Sequence, residues 1–147
     1  VSRTSHQPVM TREELSAFLD REFPQIHFGG RTYHVEEVGP LRVRLRMDYH
    51  DRHLRPGGTL SGPSMMGLAD LALYAAILAH IGPVALAVTT SLNFNFLRKP
   101  EQRALIAECR LLKLGKRLAV GEVAMASEGS EEIVCHATGT YSIPERG

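Results

Sequence analysis

The chain has no tryptophan, only two cysteines and almost no net charge, with 17 Lys+Arg set against 16 Asp+Glu in 147 residues. Each shortage removes a class of protein. A charge near zero argues against a domain whose main partner is nucleic acid, because such domains carry a clear basic excess. Cys109 and Cys135 cannot build a disulfide framework, and no secretory signal opens the sequence. They read as reduced, buried thiols of a cytoplasmic protein. Metal-ligand spacing is also missing: His50 and His53 bracket Asp51-Arg52, but no second ligand pair follows, so no metal is expected. No P-loop, G-x-G-x-x-G or G-x-S-x-G pattern occurs, and Met65-Met66-Gly67 after Ser64 breaks the nucleophile-elbow form. Cys135 and His136, adjacent on an expected strand, point to opposite faces and make no dyad.

What is present is an ordinary apolar content of 44%, enough for one domain with a real core and too high for a disordered chain. From Met65 to Ile81 the sequence is almost wholly apolar. That run is shorter than the roughly 20 residues a bilayer requires. It also carries Asp70 well inside it, which lipid would penalise, so it reads as a buried helix.

Residues 1–10 are expected to form a flexible tail ahead of a single domain over 11–147. Thr11 and Glu14 have the form of a capping box and predict a helix from Arg12. Leu15, Phe18, Leu19 and Phe23 fall on one face, and Pro24 stops the run. Tyr33–Val38 and Leu41–Met47 read as two strands joined by Gly39-Pro40. In the second, Arg42, Arg44 and Arg46 share one face, which reads first as a solvated sheet surface. A breaker-rich loop, Arg55 to Pro63, leads into the long helix, with Pro63 suited to its first position and Gly82-Pro83 closing it. Four strand-like runs follow (Leu86–Phe96, Ala104–Leu114, Arg117–Ser127 and Ile133–Ile143), and their short connections suggest an antiparallel meander. A sheet curled around one buried helix satisfies every apolar face in that order, an α+β arrangement.

Asp70 is the most informative residue. Its neighbours at helical spacing are Met66, Gly67, Leu73 and Tyr74, none of them a cation. A carboxylate on a buried helix costs several kcal/mol unless something pairs with it or a wet cleft reaches it. That makes it a candidate base or nucleophile. The helix start at Ser61-Gly62-Pro63-Ser64 is the second candidate, because free backbone N–H groups there suit an anion or oxyanion. It reads equally as a plain N-terminus capped by Ser61 or Ser64. Between Arg98 and Arg117 seven basic residues (Arg98, Lys99, Arg103, Arg110, Lys113, Lys116, Arg117) face two acids. Such a patch suits either an exposed sheet edge or a polyphosphorylated small molecule.

The stretch Gly57-Gly58-Thr59-Leu60-Ser61-Gly62 through Leu68-Ala69-Asp70, then Leu92-Asn93-Phe94-Asn95-Phe96-Leu97-Arg98, resembles the hotdog-fold acyl-CoA thioesterases of the phenylacetate-pathway (PaaI-like) type. Leu114-Gly115-Lys116-Arg117-Leu118-Ala119-Val120 and Ala137-Thr138-Gly139-Thr140-Tyr141 match the closing strands of that family. The resemblance covers roughly residues 33–143 and implies a hotdog fold: a curled antiparallel sheet around one long buried helix, here with an extra N-terminal helix. It implies Asp70 as nucleophile or general base and Gly62 N–H, eight residues earlier, as the oxyanion donor. Thr89 takes the place of a hydroxyl that, from a partner subunit, orients the attacking water. Arg55, Ser61, Ser64, Arg98, Lys116 and Arg117 are the implied substrate-binding residues, with the Gly115-Lys116-Arg117 turn near the nucleotide end of CoA. The implied partners are acyl-CoA and further copies of the chain, as a homodimer or dimer of dimers, with neither nucleic acid nor membrane. Coenzyme A belongs to the substrate, and no separate cofactor is implied. Where the family has His-Gly-Gly, this chain has Ser61-Gly62-Pro63; Arg55 replaces a polar residue, often Asn; and Lys99 interrupts Leu-Arg-Pro. A non-catalytic acyl-CoA binder is the alternative reading. A hydratase is a third, disfavoured because no histidine lies between Leu54 and Ile77.

Overall fold

The computed structural model describes residues 6–145. The first helix, α1 (Arg12–Glu22), opens as the sequence predicts, with Glu14 N–H donating to Thr11 Oγ1 and Thr11 N–H to Glu14 Oε1, at 3.1 and 2.9 Å. Leu15, Phe18 and Leu19 go into the core, and Pro24 starts a 3-10 turn over Pro24–His27. The expected tail is tied down at its far end. Val9 and Met10 N–H both reach Ala79 O, at 2.7 and 3.2 Å, and Met10 packs on the core. Residues 1–5 of that expected tail lie outside the described residues.

Strands β1 (Tyr33–Gly39) and β2 (Arg42–Met47) form a hairpin. Leu41 leaves the expected strand because it sits in the left-handed region, at φ 57°, to close the turn. Its N–H donates to Nε2 of buried His80, 2.7 Å away, while His80 Nδ1–H donates to Ala76 O, so a neutral imidazole ties this turn to the long helix. Desolvation holds the His80 pKa below its ordinary value. The three arginines of β2 do face one side, and each already meets carboxylates: Arg42 with Glu37, Arg44 with Glu37 and Glu108, Arg46 with Asp48 and Glu128. That surface is a charge-balanced ladder.

Helix α2 (Gly62–Ile81) has 20 residues, three more than the apolar run suggests, all of them at its N-terminal end. Ser61 caps it, accepting from Ser64 N–H, and Pro63 takes the second helical position instead of the first. The length argument against a bilayer therefore lapses, since 20 residues would span one. The cost of Asp70 in lipid still stands, and thirteen of the helix's residues are buried by the rest of the fold.

The remaining strands are β3 (Val88–Phe96), β4 (Leu105–Leu114), β5 (Leu118–Ser127) and β6 (Ile133–Ser142). They complete one antiparallel sheet of six strands in the order β1-β2-β4-β5-β6-β3. The expected meander holds for β4-β5-β6 only. The chain crosses after β3, which pairs with β6 and becomes an edge. With α2 in its concave face the sheet is the hotdog fold, and Gly121 and Gly139 let it close tightly on Leu73: a β-carbon at either would stand 2.6 or 2.5 Å from that side chain.

Candidate functional site

Asp70 projects from the face of α2 that also carries Gly67, Leu71 and Tyr74, and this face lines a cavity of about 660 Å³. The cavity is closed by Phe23, Gln25 and Ile26 from the end of α1 and its 3-10 turn, by Tyr33 of β1, and by Val88, Thr89 and Tyr141 from β3 and β6. The carboxylate is half-buried. Among the described residues it pairs with no cation. Instead two hydroxyls donate to Oδ1: Thr89 Oγ1 at 2.5 Å and Tyr141 OH at 2.6 Å. Oδ2 has no hydrogen-bond partner among the described residues. Tyr141 is buried, and burial, reinforced by its bond to Asp70, pushes its phenol well above the ordinary value, so it remains a donor. Its ring stacks on Tyr74 with centroids 6.4 Å apart, and Tyr74 OH is anchored on Ala85 O.

His53 and Arg52 line the same cavity, from a 3-10 turn over Asp51–His53. The buried His53 ring stands between Thr32 Oγ1, 2.9 Å from Nε2, and Ser64 Oγ, 3.3 Å from Nδ1. Arg52 Nε also approaches Nε2, at 3.4 Å, which makes Nε2 the acceptor and puts the proton on Nδ1, facing Ser64. His53 is therefore no base for Ser64. Desolvation, with the Arg52 charge adding to it, pushes the His53 pKa down to about 4. A neutral histidine engaged at both nitrogens is a strut between the β1 approach and the N-terminus of α2. It does not supply the acid–base partner a hydratase needs. The Arg52 guanidinium is equally engaged, donating to Ile26 O, Phe28 O and Thr32 Oγ1.

A second cavity, of about 620 Å³, opens at the N-terminus of α2. Gly62, Arg55, Gly57, Phe96, Arg98 and Lys99 are among the residues that line it, and none of its lining residues is shared with the first. Gly62 occupies the first helical position, and its N–H meets no acceptor among the described residues. Asp70 lies eight residues further on, about 12 Å along the helix axis at 1.5 Å per residue. Within one chain the expected oxyanion donor and the expected carboxylate thus face different spaces.

Of the expected residues, the structure brings Asp70 and Thr89 together within a single chain, where the resemblance implies a hydroxyl from a partner. It sets Gly62, Arg55 and Arg98 together around the second cavity. Ser61 and Ser64 engage one another and the helix end, at 3.0 Å between hydroxyls. Lys116 and Arg117 line neither cavity; they sit at the β4–β5 turn, with Arg117 3.9 Å from Glu145. Sequence reasoning missed Tyr141 and His53 as site residues. Tyr141 lies inside a matched motif, and only strand register reveals where its hydroxyl goes. No group of three or more possible metal ligands occurs among the described residues.

The thioesterase superfamily model matches residues 57–134, which include Gly62 and Asp70 with the whole of α2 and strands β3 to β5. A protein assigned as a thioesterase from Silicibacter sp. TM1040 is 47% identical, with 95% of this chain and 96% of that one covered and a TM-score of 0.88. The phenylacetic acid degradation protein PaaI from Thermus thermophilus, solved as a point mutant, is 26% identical over 82% of this chain and 99% of its own, with a TM-score of 0.69. A protein of Saccharolobus solfataricus assigned as an esterase is 27% identical, with 92% of this chain and 87% of that one covered. The chain belongs to the thioesterase superfamily and is a thioester hydrolase.

Proposed function

We propose that the substrate is a small-to-medium acyl-CoA or aryl-CoA, hydrolysed by Asp70-assisted attack at a site shared between two copies of the chain. The observation that carries this reading is the Asp70 carboxylate itself, unpaired by any described cation and lining a cavity of mixed but mainly apolar walls, large enough for an acyl group. As general base it takes a proton from water while the hydroxide attacks the thioester carbonyl. The tetrahedral oxyanion then expels the CoA thiolate, which is protonated, leaving free acid and thiol. As nucleophile it displaces the CoA thiolate, which is protonated, to form an anhydride with the acyl group; water then cleaves the anhydride, releasing the free acid and restoring the carboxylate. A free backbone N–H such as that of Gly62 suits the developing oxyanion.

The edge strand supports sharing. Thr89 and Phe96 stand near opposite ends of β3, and they line the Asp70 and Gly62 cavities respectively. Two β3 edges paired antiparallel about a twofold axis near Leu92 would bring the Asp70 end of one chain to the Gly62 end of the other. Exposed Leu86, Val88, Phe96 and Leu97 along this edge suit such burial. Arg55, Arg98 and Lys99 would then meet the phosphates of CoA, with Lys116 and Arg117 further along the nucleotide. A cytoplasmic location fits a CoA substrate and two unpaired, buried cysteines.

The test is release of free thiol from a panel of acyl-CoAs, with Asp70→Asn beside the native chain. The variant should lose at least ~2 kcal/mol of transition-state stabilisation, about thirtyfold in rate, while still binding CoA. A native chain that binds acyl-CoA and releases no thiol would make it a binding protein instead.

A further inference from the structure

We propose that Tyr141 is a positioning residue which, with Thr89, clamps Oδ1 of Asp70 and leaves Oδ2 as the oxygen that reacts. This rests on the reading of Asp70 given above and names which of its two oxygens does the work. Register makes the clamp. Thr89 and Tyr141 are direct partners across the β3–β6 ladder, so their side chains leave the sheet on the same face. That partnership depends on a bulge: the pairing from Ser91 to Phe96, continued without a break, would set Thr90 opposite Tyr141. A one-residue shift between Thr89 and Ser91 sets Thr89 there instead. Thr90, displaced by the bulge, is exposed and its hydroxyl reaches only Thr140 O, at 3.2 Å.

The two donors then meet one acceptor. Tyr141 OH lies 2.6 Å from Oδ1 and 3.0 Å from the Asp70 carbonyl, and Thr89 Oγ1 lies 2.5 Å from Oδ1. With Oδ1 saturated by two hydroxyl donors, a proton or an acyl carbon can reach only Oδ2. Tyr141 itself is fixed by its stacking on Tyr74, so the carboxylate is held by rigid strand and helix side chains instead of a loop. The other titratable or charged groups around this cavity are Glu22, Tyr33, Arg52, His53 and Tyr74.

The experiment reads the Asp70 carboxylate stretches by infrared difference spectroscopy at neutral pH in the full chain and in Tyr141→Phe, which keeps the ring and its stacking, each measured against its Asp70→Asn counterpart. The splitting between the asymmetric and symmetric stretches, set by how unequally the two oxygens are hydrogen-bonded, should change in the variant. Thr89→Val should move it in the same direction. Coincident carboxylate bands for native and Tyr141→Phe chains overturn the proposal. In parallel, kcat for thiol release should fall at least tenfold in Tyr141→Phe with KM unchanged. A rise in KM with kcat intact would make Tyr141 a packing residue and would also overturn it. If the native chain hydrolyses none of the panel, the substrate reading fails, and the infrared comparison still decides the clamp. Should Thr89→Val unfold, Tyr141→Phe carries the test by itself.

Discussion

Gly62 and Asp70 stand on one helix eight residues apart, yet open onto cavities that share no lining residue. A catalytic unit built from both must take one from each of two chains. Complementation measures this directly. Gly62→Pro removes the N–H without breaking the helix, because proline suits the first helical position and Ser61 is already extended at φ −80°, ψ 153°. Chains carrying Gly62→Pro and chains carrying Asp70→Asn should each be nearly inactive. Co-refolded, half the dimers are mixed and each mixed dimer regains one intact site of two, so roughly a quarter of native activity should return. Mixtures as inactive as their parents would place the whole site within one chain.

Gly139 links the core to the site. A β-carbon there would stand 2.5 Å from Leu73 Cδ1 and 2.6 Å from Leu92 Cδ2, with β6 carrying Tyr141 two residues on. Both obstacles are themselves packed side chains, so the sheet must move away from α2. Gly139→Ala should cost about 1–3 kcal/mol, the usual range for overpacking. It should also reduce thiol release by displacing the Tyr141 hydroxyl from Asp70. Urea unfolding and a rate measurement on the same preparation check both halves. An unchanged midpoint would mean that the methyl is accommodated by shifts of the Leu73 and Leu92 side chains alone.

Local signals made most of the fold legible. The Thr11–Glu14 capping box, the apolar run after Met65 and the alternation of β2 each declare an element within a few residues of chain. The first turn of α2 escaped hydropathy because Gly62, Pro63 and Ser64 are not apolar, and its start is set by the Ser61 cap. Pairing was less legible: nothing local distinguishes β6 from β4 as the partner of β3, since that choice is made by how the whole sheet closes on α2. Asp70 stood out as the acid in an apolar helix. Tyr141 and His53 did not, because their roles depend on a bulge and on tertiary contacts spanning 71 and 21 residues of sequence.

His53 makes stability depend on pH. Its imidazole takes up a proton near 6.5 in an unfolded chain, whereas in the fold burial delays uptake to about 4. Between those values the unfolded chain holds more protons, so stability falls as pH drops through this window and is fully present above it. The loss should be of order 1–2 kcal/mol by about pH 4.5, some of the linkage being offset by screening at the cavity mouth. Asp20 and Asp48, whose pKa values are held down by hydrogen bonds to Arg31 and His34, add their own losses at lower pH. Replacing His53 with Gln retains a donor and an acceptor but removes the titration. Urea melts at neutral and acid pH should therefore show a smaller acid loss in the variant than in the native chain, and equal losses would rule His53 out as the cause.

The charge around the first cavity predicts which acyl groups enter it. Glu22 and Asp70 contribute carboxylates to its lining, and the arginine there, Arg52, has its guanidinium engaged by Ile26 O, Phe28 O and Thr32 Oγ1. An acyl chain ending in its own carboxylate would bring a third negative charge into a space whose remaining walls are uncharged, with Phe23, Ile26, Leu71, Tyr74, Ala87 and Val88 among them. No free cation among the described lining residues offsets its desolvation. Uncharged acyl-CoAs should therefore exceed dicarboxylic acyl-CoAs of equal length by at least tenfold in kcat/KM, about 1.4 kcal/mol of discrimination. Glu22→Gln should narrow that gap, chiefly through KM for the charged substrate, with little change for the uncharged one. Steady-state rates on matched pairs such as hexanoyl-CoA and adipoyl-CoA decide it, and equal efficiency on both would show that the acyl group lies elsewhere than against Asp70.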